Sequence, residues 1–256
     1  MMKDLFSLTG RTALVTGGTR GIGKMIAQGF LQQGAKVYIS GRNAERADAA
    51  AKELAAFGTC IPLADDASGV AGSRRLAASF LEKETGLDIL VHNAGAAWGA
   101  PFKEFPEGGW DKVMDLNVKT PFFLTQALHD ALKVNATAER PSKVIVIASV
   151  DGFFVNRPES YSYHASKAGV LHLTKKMAMH LIDDHIVVSA IAPGAFATDM
   201  NKVARDTPEF YNTHIPARRI GRPDDIAGAA VFLASRAGDY VVGTAVTVDG
   251  GVSWGY

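Results

Sequence analysis

Residues 12–40, "TALVTGGTRGIGKMIAQGFLQQGAKVYIS", hold a strand, a glycine loop, an amphipathic helix and a second strand in one unbroken run. "TALVTG" (12–17) and "KVYIS" (36–40) are short, β-branched and almost continuously apolar, the pattern of parallel strands covered on both faces. Between them "GIGKMIAQGFLQQG" sets Ile22, Met25, Ile26 and Phe30 three and four residues apart, which is one face of a helix. Gly17, Gly21 and Gly23, spaced G-x-x-x-G-x-G, let the backbone turn sharply at the point where a helix N-terminus offers free N–H groups to an anion.

The same alternation continues along the chain. Apolar runs recur at "CIPLA" (60–64), "DILVHN" (88–93), "KVIVIAS" (143–149), "IVVSAIAP" (186–193) and "AVTVDG" (245–250), with helical patterns such as "SRRLAASFLEKE" between them. Seven strands joined by helical crossovers predict a Rossmann-type, doubly wound α/β fold, a seven-stranded parallel sheet with helices on both faces. No repeat or linker divides the sequence, and 256 residues suit a single domain spanning 1–256. Ligands of such folds bind beyond the carboxyl ends of the strands, so the loops after them are where function is expected.

The glycine loop in this order predicts a dinucleotide site, with the pyrophosphate at the helix N-terminus. A site for NAD usually carries an acid about 20 residues further on, to meet the ribose 2′-hydroxyl. Here the second strand ends in "SGRN", with Ser40, Gly41, Arg42 and Asn43 and no acid, while Arg20 lies inside the glycine loop. Guanidinium groups suit a 2′-phosphate, so the residues favour NADP(H) over NAD(H). The duller alternative is that Arg42 is a solvated loop charge.

"YSYHASK", Tyr161 to Lys167, opens a long helical pattern through Ala168, Leu171, Met177, Ala178, Leu181 and Ile182. Tyr163 and Lys167 are four residues apart and share a helix face, whereas Tyr161 lies about 9 Å from Lys167 along the axis and points elsewhere. Tyr163 is therefore the candidate acid or base. A phenol titrates near 10, so work near neutrality needs a shift of roughly three units, worth about 4 kcal/mol. A single cation at about 4 Å, in an effective dielectric of about 20, supplies about 4 kcal/mol as an upper bound. Lys167 is expected to be that cation.

Taken together, "TGGTRGIG", "NAG" at 93–95, Ser149 after an apolar strand, "YHASK" and "PGAFAT" at 193–198 resemble the family of short-chain dehydrogenases and reductases over essentially the whole chain. Within it the sequence is similar to bacterial NADPH-dependent 3-oxoacyl reductases, including the kind associated with rhamnolipid synthesis. The resemblance implies that Ser149, 14 residues before Tyr163, hydrogen-bonds the substrate carbonyl, that Tyr163 donates its proton, and that Lys167 lowers the tyrosine pKa and holds the nicotinamide ribose. It implies that Asn117 holds a water of the proton relay. For the cofactor it implies Gly17, Thr19, Arg20, Gly21, Ile22 and Gly23 around the phosphates, Arg42 and Asn43 beside the 2′-phosphate, Asn93, Ala94 and Gly95 along the adenosine ribose, and Asp65 at adenine. Pro193, Gly194 and Thr198 would complete the nicotinamide end, Thr198 at the carboxamide. Each has a plainer alternative: Asn117 could cap or kink a helix, Ser149 could satisfy a strand end, and Asp65 could cap the next helix.

Three positions depart from the family pattern. His92 stands where an asparagine is frequent and is expected to be a sheet contact. Asp66 leaves open which aspartate meets adenine. Asp151, two residues beyond Ser149, is expected to face solvent rather than substrate. A polar segment at about 199–220, with Met200, Val203, Phe210, Tyr211 and Ile215 as apolar anchors, suits a lid over the substrate, and Trp98, Phe153 and Phe196 are expected to line an apolar pocket. The implied reaction is reduction of a ketone to a secondary alcohol, with a 3-oxoacyl thioester as the leading substrate. A sugar or polyol dehydrogenase, and a nucleotide-sensing protein without turnover, remain as alternatives.

Composition excludes other classes. With 27 basic and 26 acidic residues and no run of like charge, neither nucleic acid nor an anionic membrane is the expected partner. Cys60 is the only cysteine and reads as a small core residue, and His180 and His185 lack a third ligand, so no metal is expected. No apolar stretch reaches about 18 residues and the start lacks a signal-peptide core; a cytoplasmic protein is expected. The family resemblance implies a homotetramer, with the Asn117 and Tyr163 helices at one interface and "DGGVSWGY" at another.

Overall fold

The structure is a computed structural model that describes residues 4–207 and 209–254. All seven expected strands form: β1 (Thr12–Val15), β2 (Lys36–Ser40), β3 (Cys60–Leu63), β4 (Ile89–His92), β5 (Ser142–Ile147), β6 (Ile186–Pro193) and β7 (Ala245–Val248). They make one sheet in the order β3-β2-β1-β4-β5-β6-β7, and every pairing is parallel. The chain winds outward from β1 to β3, then returns to start again at β4. The crevice between the ends of β1 and β4 is the switch point at which such sheets bind ligands.

The helices are α1 (Gly21–Gln32), α2 (Ala44–Leu54), α3 (Gly69–Leu81), α4 (Glu107–Met114), α5 (Thr120–Ala127), α6 (His129–Lys133), α7 (Tyr161–Leu181), α8 (Lys202–Asp206), α9 (Glu209–Asn212) and α10 (Pro223–Ala234). Successive strand side chains point to opposite faces, and two cores follow from that. Ala13, Val15, Val37, Ile39, Val91 and Ile145 meet α1, α2 and α10 on one side. Leu14, Tyr38, Leu90, Val144, Val146 and Val188 meet α3, α5, α6 and α7 on the other. Cys60 in β3 is half-buried, and burial pushes its thiol up to about 11, which suits a packing residue and not a nucleophile.

At the strand N-termini, away from the crevice, Lys143 is 1% exposed and reaches Asp239 at 2.6 Å. Arg11 and Arg140 both approach Asp88, at 3.5 and 3.3 Å. These pairs tie the starts of β1, β4 and β5 together. At the other end, α4 runs into α5 through a π turn at Asp115–Lys119. Pro121 has no N–H to offer the Asn117 carbonyl four residues back, so the regular ladder cannot be kept there.

His92 is a sheet contact, as expected. It ends β4, is buried, and its Nε2 lies 2.8 Å from the Thr125 hydroxyl on α5. Burial pushes the ring down to about 3, so it stays neutral when folded, yet an unfolded chain protonates it near 6.5. A group whose folded pKa is depressed stabilises above its unfolded value and loses that contribution as pH falls, at up to about 1.4 kcal/mol per pH unit. His92→Asn should accordingly lose less stability than the parent between pH 6.5 and 4.5, by up to about 2–3 kcal/mol in urea unfolding. An equal loss in both proteins would refute this account.

Candidate active site

The first turn of α1 is built to receive an anion. Its N-cap, Arg20, makes no side-chain capping bond and the turn contains no acid, so the amides of Gly21, Ile22 and Gly23 face the crevice uncapped. Gly17 and Gly21 have φ of +63° and +52°, a conformation that other residues adopt only with strain. A Cβ on Gly21 would lie 3.3 Å from the Thr198 methyl, so Thr198, beyond β6, closes over the same N-terminus. Pro193 ends β6, and the Gly194 N–H donates to the Val248 carbonyl at 3.0 Å. This cradle fits a dinucleotide pyrophosphate. At its far end Thr19 packs against Gly41, where a Cβ would come within 2.7 Å of the threonine methyl, and Arg42 is exposed beside them.

Several expected cofactor contacts are otherwise engaged. Arg20 turns away from Arg42 and pairs with Asp199, which also accepts from Arg205 at 2.9 Å. Two guanidiniums on one exposed carboxylate join the glycine loop to the segment that follows β6. The Asn43 side chain caps α2, accepting from the Arg46 N–H at 2.7 Å. The Asn93 amide donates to the Thr16 and Gly17 carbonyls at 2.9 and 3.2 Å, so its side chain braces the glycine loop. Gly95 lies toward the other end of the crevice, where a Cβ would sit 3.3 Å from Asn117 Oδ1 and 4.0 Å from Lys167 Nζ. Ala94 stays at the loop, its N–H donating to the Thr16 hydroxyl at 3.0 Å. Asp66, not Asp65, closes the turn before α3, accepting from the Ser68 N–H and hydroxyl at 3.0 and 2.7 Å. That leaves Asp65 as the better placed of the two for a ligand.

Ser149, Tyr163 and Lys167 converge beyond the end of β5. Ser149 is the N-cap of the short turn Val150–Gly152, and its hydroxyl accepts from the Asp151 N–H at 3.2 Å. Lys167 is buried, donates to the Ile147 carbonyl at 2.8 Å, and lies 5.5 Å from the centre of the Tyr163 ring. Burial pushes the phenol up to about 12, opposed by its hydrogen bond with Ser149 and aided by the Asp151 charge. Burial likewise pushes Lys167 down to about 8, with Asp151 working against it. The expectation of a phenol drawn below its ordinary value is not met in this arrangement, because burial outweighs any pull from the Lys167 ammonium. That ammonium donates to the Ile147 carbonyl and lies beside the ring. At neutral pH both groups hold their protons.

Asn117 sits in the π turn, 3% exposed. Its Oδ1 accepts from the Ala96 N–H at 2.8 Å, and its Nδ2 donates to the Ala96 carbonyl and the Ser166 hydroxyl, both at 2.9 Å. The side chain thus clamps the loop after β4 onto α7, and Pro121 denies its backbone carbonyl an α-helical partner. Ser166 and Thr16 were not singled out in the sequence. The Thr16 hydroxyl accepts from the Asn93 and Ala94 N–H groups at 2.9 and 3.0 Å. A small hydroxyl residue at a strand end is too common to signal this.

Of the aromatics, Phe196 is only 2% exposed, packs against Gly221, and lines a cavity with Ala217, Arg219 and Asp249. Trp98 covers Gly109 and lies 5.4 Å from Lys112, while Phe153 is 54% exposed at the rim. Tyr161 stacks edge-on against Phe102 and Phe105 and donates to Glu159 at 3.1 Å; it points away from Lys167, as the helical spacing predicts. Replacing the buried Asn117 by Ala strands the Ala96 amide and carbonyl, and should cost roughly 2–4 kcal/mol in chemical unfolding. A cost below about 0.5 kcal/mol would show the clamp to be dispensable.

Known proteins share this sequence pattern and fold. The family described as enoyl-(acyl carrier protein) reductase matches residues 17–253. A rhamnolipids biosynthesis 3-oxoacyl-[acyl-carrier-protein] reductase of Pseudomonas aeruginosa is 45% identical, covering 98% of this chain and 99% of its own. A gluconate 5-dehydrogenase of Gluconobacter oxydans is 37% identical over 98% and 97% of the two chains. The solved Pseudomonas aeruginosa RhlG/NADP active-site complex superposes with a TM-score of 0.94 at 45% identity, covering 98% of this chain and 100% of that one. The uncapped glycine turn, the Ser149–Tyr163–Lys167 cluster and these relatives together place the chain in the family of short-chain dehydrogenases and reductases, oxidoreductases that interconvert carbonyl and hydroxyl groups.

Proposed function

We propose that this protein reduces a ketone to a secondary alcohol with NADPH, and that its substrate is a 3-oxoacyl thioester. The observation that carries the reading is the meeting of Ser149, Tyr163 and Lys167 beside the uncapped N-terminus of α1. The bound cofactor supplies hydride to the carbonyl carbon. Ser149 and the Tyr163 hydroxyl donate hydrogen bonds to the carbonyl oxygen, and Tyr163 passes its proton to it as negative charge develops. A phenol pushed up to about 12 is in the donor form this direction needs, and an ammonium titrating at about 8 eases the loss of that proton while it remains charged. Asn117 supports the site by holding Ala96 and Ser166 in register and offering its carbonyl to a relay water.

Thr19, Gly41 and Arg42 would hold the 2′-phosphate of NADPH, and Arg20 would join them on releasing Asp199. Support for the substrate comes from the 45% identical 3-oxoacyl reductase and from Trp98 and Phe153 at the rim. The gluconate 5-dehydrogenase at 37% identity keeps a polyhydroxy substrate as a second reading. Residues 199–220 form the lid; Pro208 within it lies outside the described residues, while α8 and α9 flank that position. The assembly is a homotetramer. Exposed Trp110, Phe122 and Met179 on α4, α5 and α7 support one interface, and Trp254, 85% exposed, supports a second; Gly255 and Tyr256 at its end lie outside the described residues. The protein is cytoplasmic; no helix among the described residues is long and apolar enough to cross a membrane.

NADPH oxidation against 3-oxoacyl thioesters, ketosugars and simple diketones tests the reading. Tyr163→Phe should lower kcat on the order of 10³-fold and Tyr161→Phe only a few-fold; a fully active Tyr163→Phe would sink the mechanism. Reduction should decline as pH rises through about 8, where Lys167 loses its charge. Arg42→Ala should cut the preference for NADPH over NADH about tenfold; an unchanged preference removes Arg42 from the cofactor site.

A further inference from the structure

Asp151 does not face open solvent. It is half-buried in the turn after Ser149, and that turn is pressed onto α7: a Cβ on the neighbouring Gly152 would come within 2.8 Å of the Lys167 carbonyl oxygen. Its N–H donates to the Ser149 hydroxyl at 3.2 Å, and its Oδ1 accepts from Asn156 Nδ2 at 2.9 Å. Burial pushes the Asp151 carboxyl up, opposed by the His164 and Lys167 side chains of α7 and by the bond from Asn156. The His164 ring is itself held at the Ser160 carbonyl and hydroxyl, at 3.1 and 3.2 Å. Glu159, the other acid of this loop, is turned to the Tyr161 hydroxyl and the Phe102 N–H, at 3.1 and 3.2 Å. Arg157 points outward and is exposed. Asp151 is a charge that acts on both Lys167 and Tyr163, in the direction that keeps each protonated.

We propose that Asp151 is a positioning residue for this site: its backbone N–H fixes the Ser149 hydroxyl, and its carboxylate, pinned by Asn156, is the counter-charge that keeps Lys167 protonated while Tyr163 delivers its proton. The proposal rests on the assignment of proton delivery to Tyr163 and Lys167. The physical reason is the enclosure of the ammonium. Its one hydrogen-bond partner is the neutral Ile147 carbonyl, which satisfies a donor but does not balance a charge. A buried cation without a counter-ion gives up its proton more readily, and water cannot screen the loss. The same negative charge makes Tyr163 hold its proton more tightly, so one carboxylate moves both groups in the same direction along the pH axis.

Asp151→Asn separates the two roles. The backbone N–H to Ser149 is untouched and an asparagine oxygen can still accept from Asn156, so only the charge is removed. With NADPH and the best ketone of the panel above, the alkaline limb of the kcat profile should move down by on the order of one pH unit. The variant then loses far more turnover at pH 9 than at pH 6. A purely structural role would lower kcat by the same factor at both. Should Asp151→Asn fail to accumulate as folded protein, Asp151→Ser also removes the charge and must show a shift of the same sign. A limb that stays in place in the folded variant, with Tyr163→Phe inactive alongside, overturns the role of Asp151 and leaves the proton-delivery assignment standing. A fully active Tyr163→Phe overturns that assignment and this proposal with it.

Discussion

The hydrogen bond from Lys167 to the Ile147 carbonyl is the interaction on which the candidate site depends. A buried ammonium is costly unless it is paired or hydrogen-bonded, and the last carbonyls of β5 have no further strand partner to bond. Each solves the other's problem. The bond fixes the rotation of α7 about its axis, because one residue of the helix is tied to one residue of the sheet. Once that rotation is set, Tyr163 one turn earlier is brought to Ser149, Ser166 is brought to Asn117, and Tyr161 is sent outward to Phe102 and Phe105.

The surrounding architecture makes that one bond sufficient. Two fully packed cores cover the sheet, so the strand ends are rigid platforms, and the loops beyond them inherit little freedom. The glycine loop is braced from beneath by Thr16 and Asn93. The loop after β4 is clamped to α7 by Asn117. The turn after β5 is held by Ser149, Asn156 and the close packing of Gly152. Polar groups that would otherwise be stranded at the ends of strands thus stiffen the crevice, and the same low-dielectric enclosure moves Tyr163 and Lys167 away from their ordinary acidities in opposite directions.

Local pattern was a faithful guide wherever a residue's role depends on its near neighbours in sequence. All seven strands were legible because a strand buried on both faces must be apolar throughout. The uncapped turn of α1 was legible because only glycines tolerate its backbone, and the choice of Tyr163 over Tyr161 followed from 3.6 residues per turn. Long polar side chains were not legible in this way. Arg20 went to Asp199, Asn43 to the cap of α2 and Asn93 to the loop beneath, since an arginine or asparagine takes whichever acceptor the fold brings near. Phe196 entered the core because Gly221, 25 residues later in the chain, leaves room for its ring.

By itself the sequence determined the doubly wound sheet, the position of the crevice, the anion-receiving turn and the pairing of Tyr163 with Lys167, because these follow from periodicity, backbone conformation and fixed spacing; Ser149, the third member of the cluster, was implied by the family resemblance. The tertiary structure alone decided the charge environment of that cluster. Whether Lys167 bonds a carbonyl of the sheet, and whether Asp151 meets water or the side chains of α7, depends on which elements pack together and how much water they exclude. Those are properties of residues far apart in the chain, and no local pattern records them.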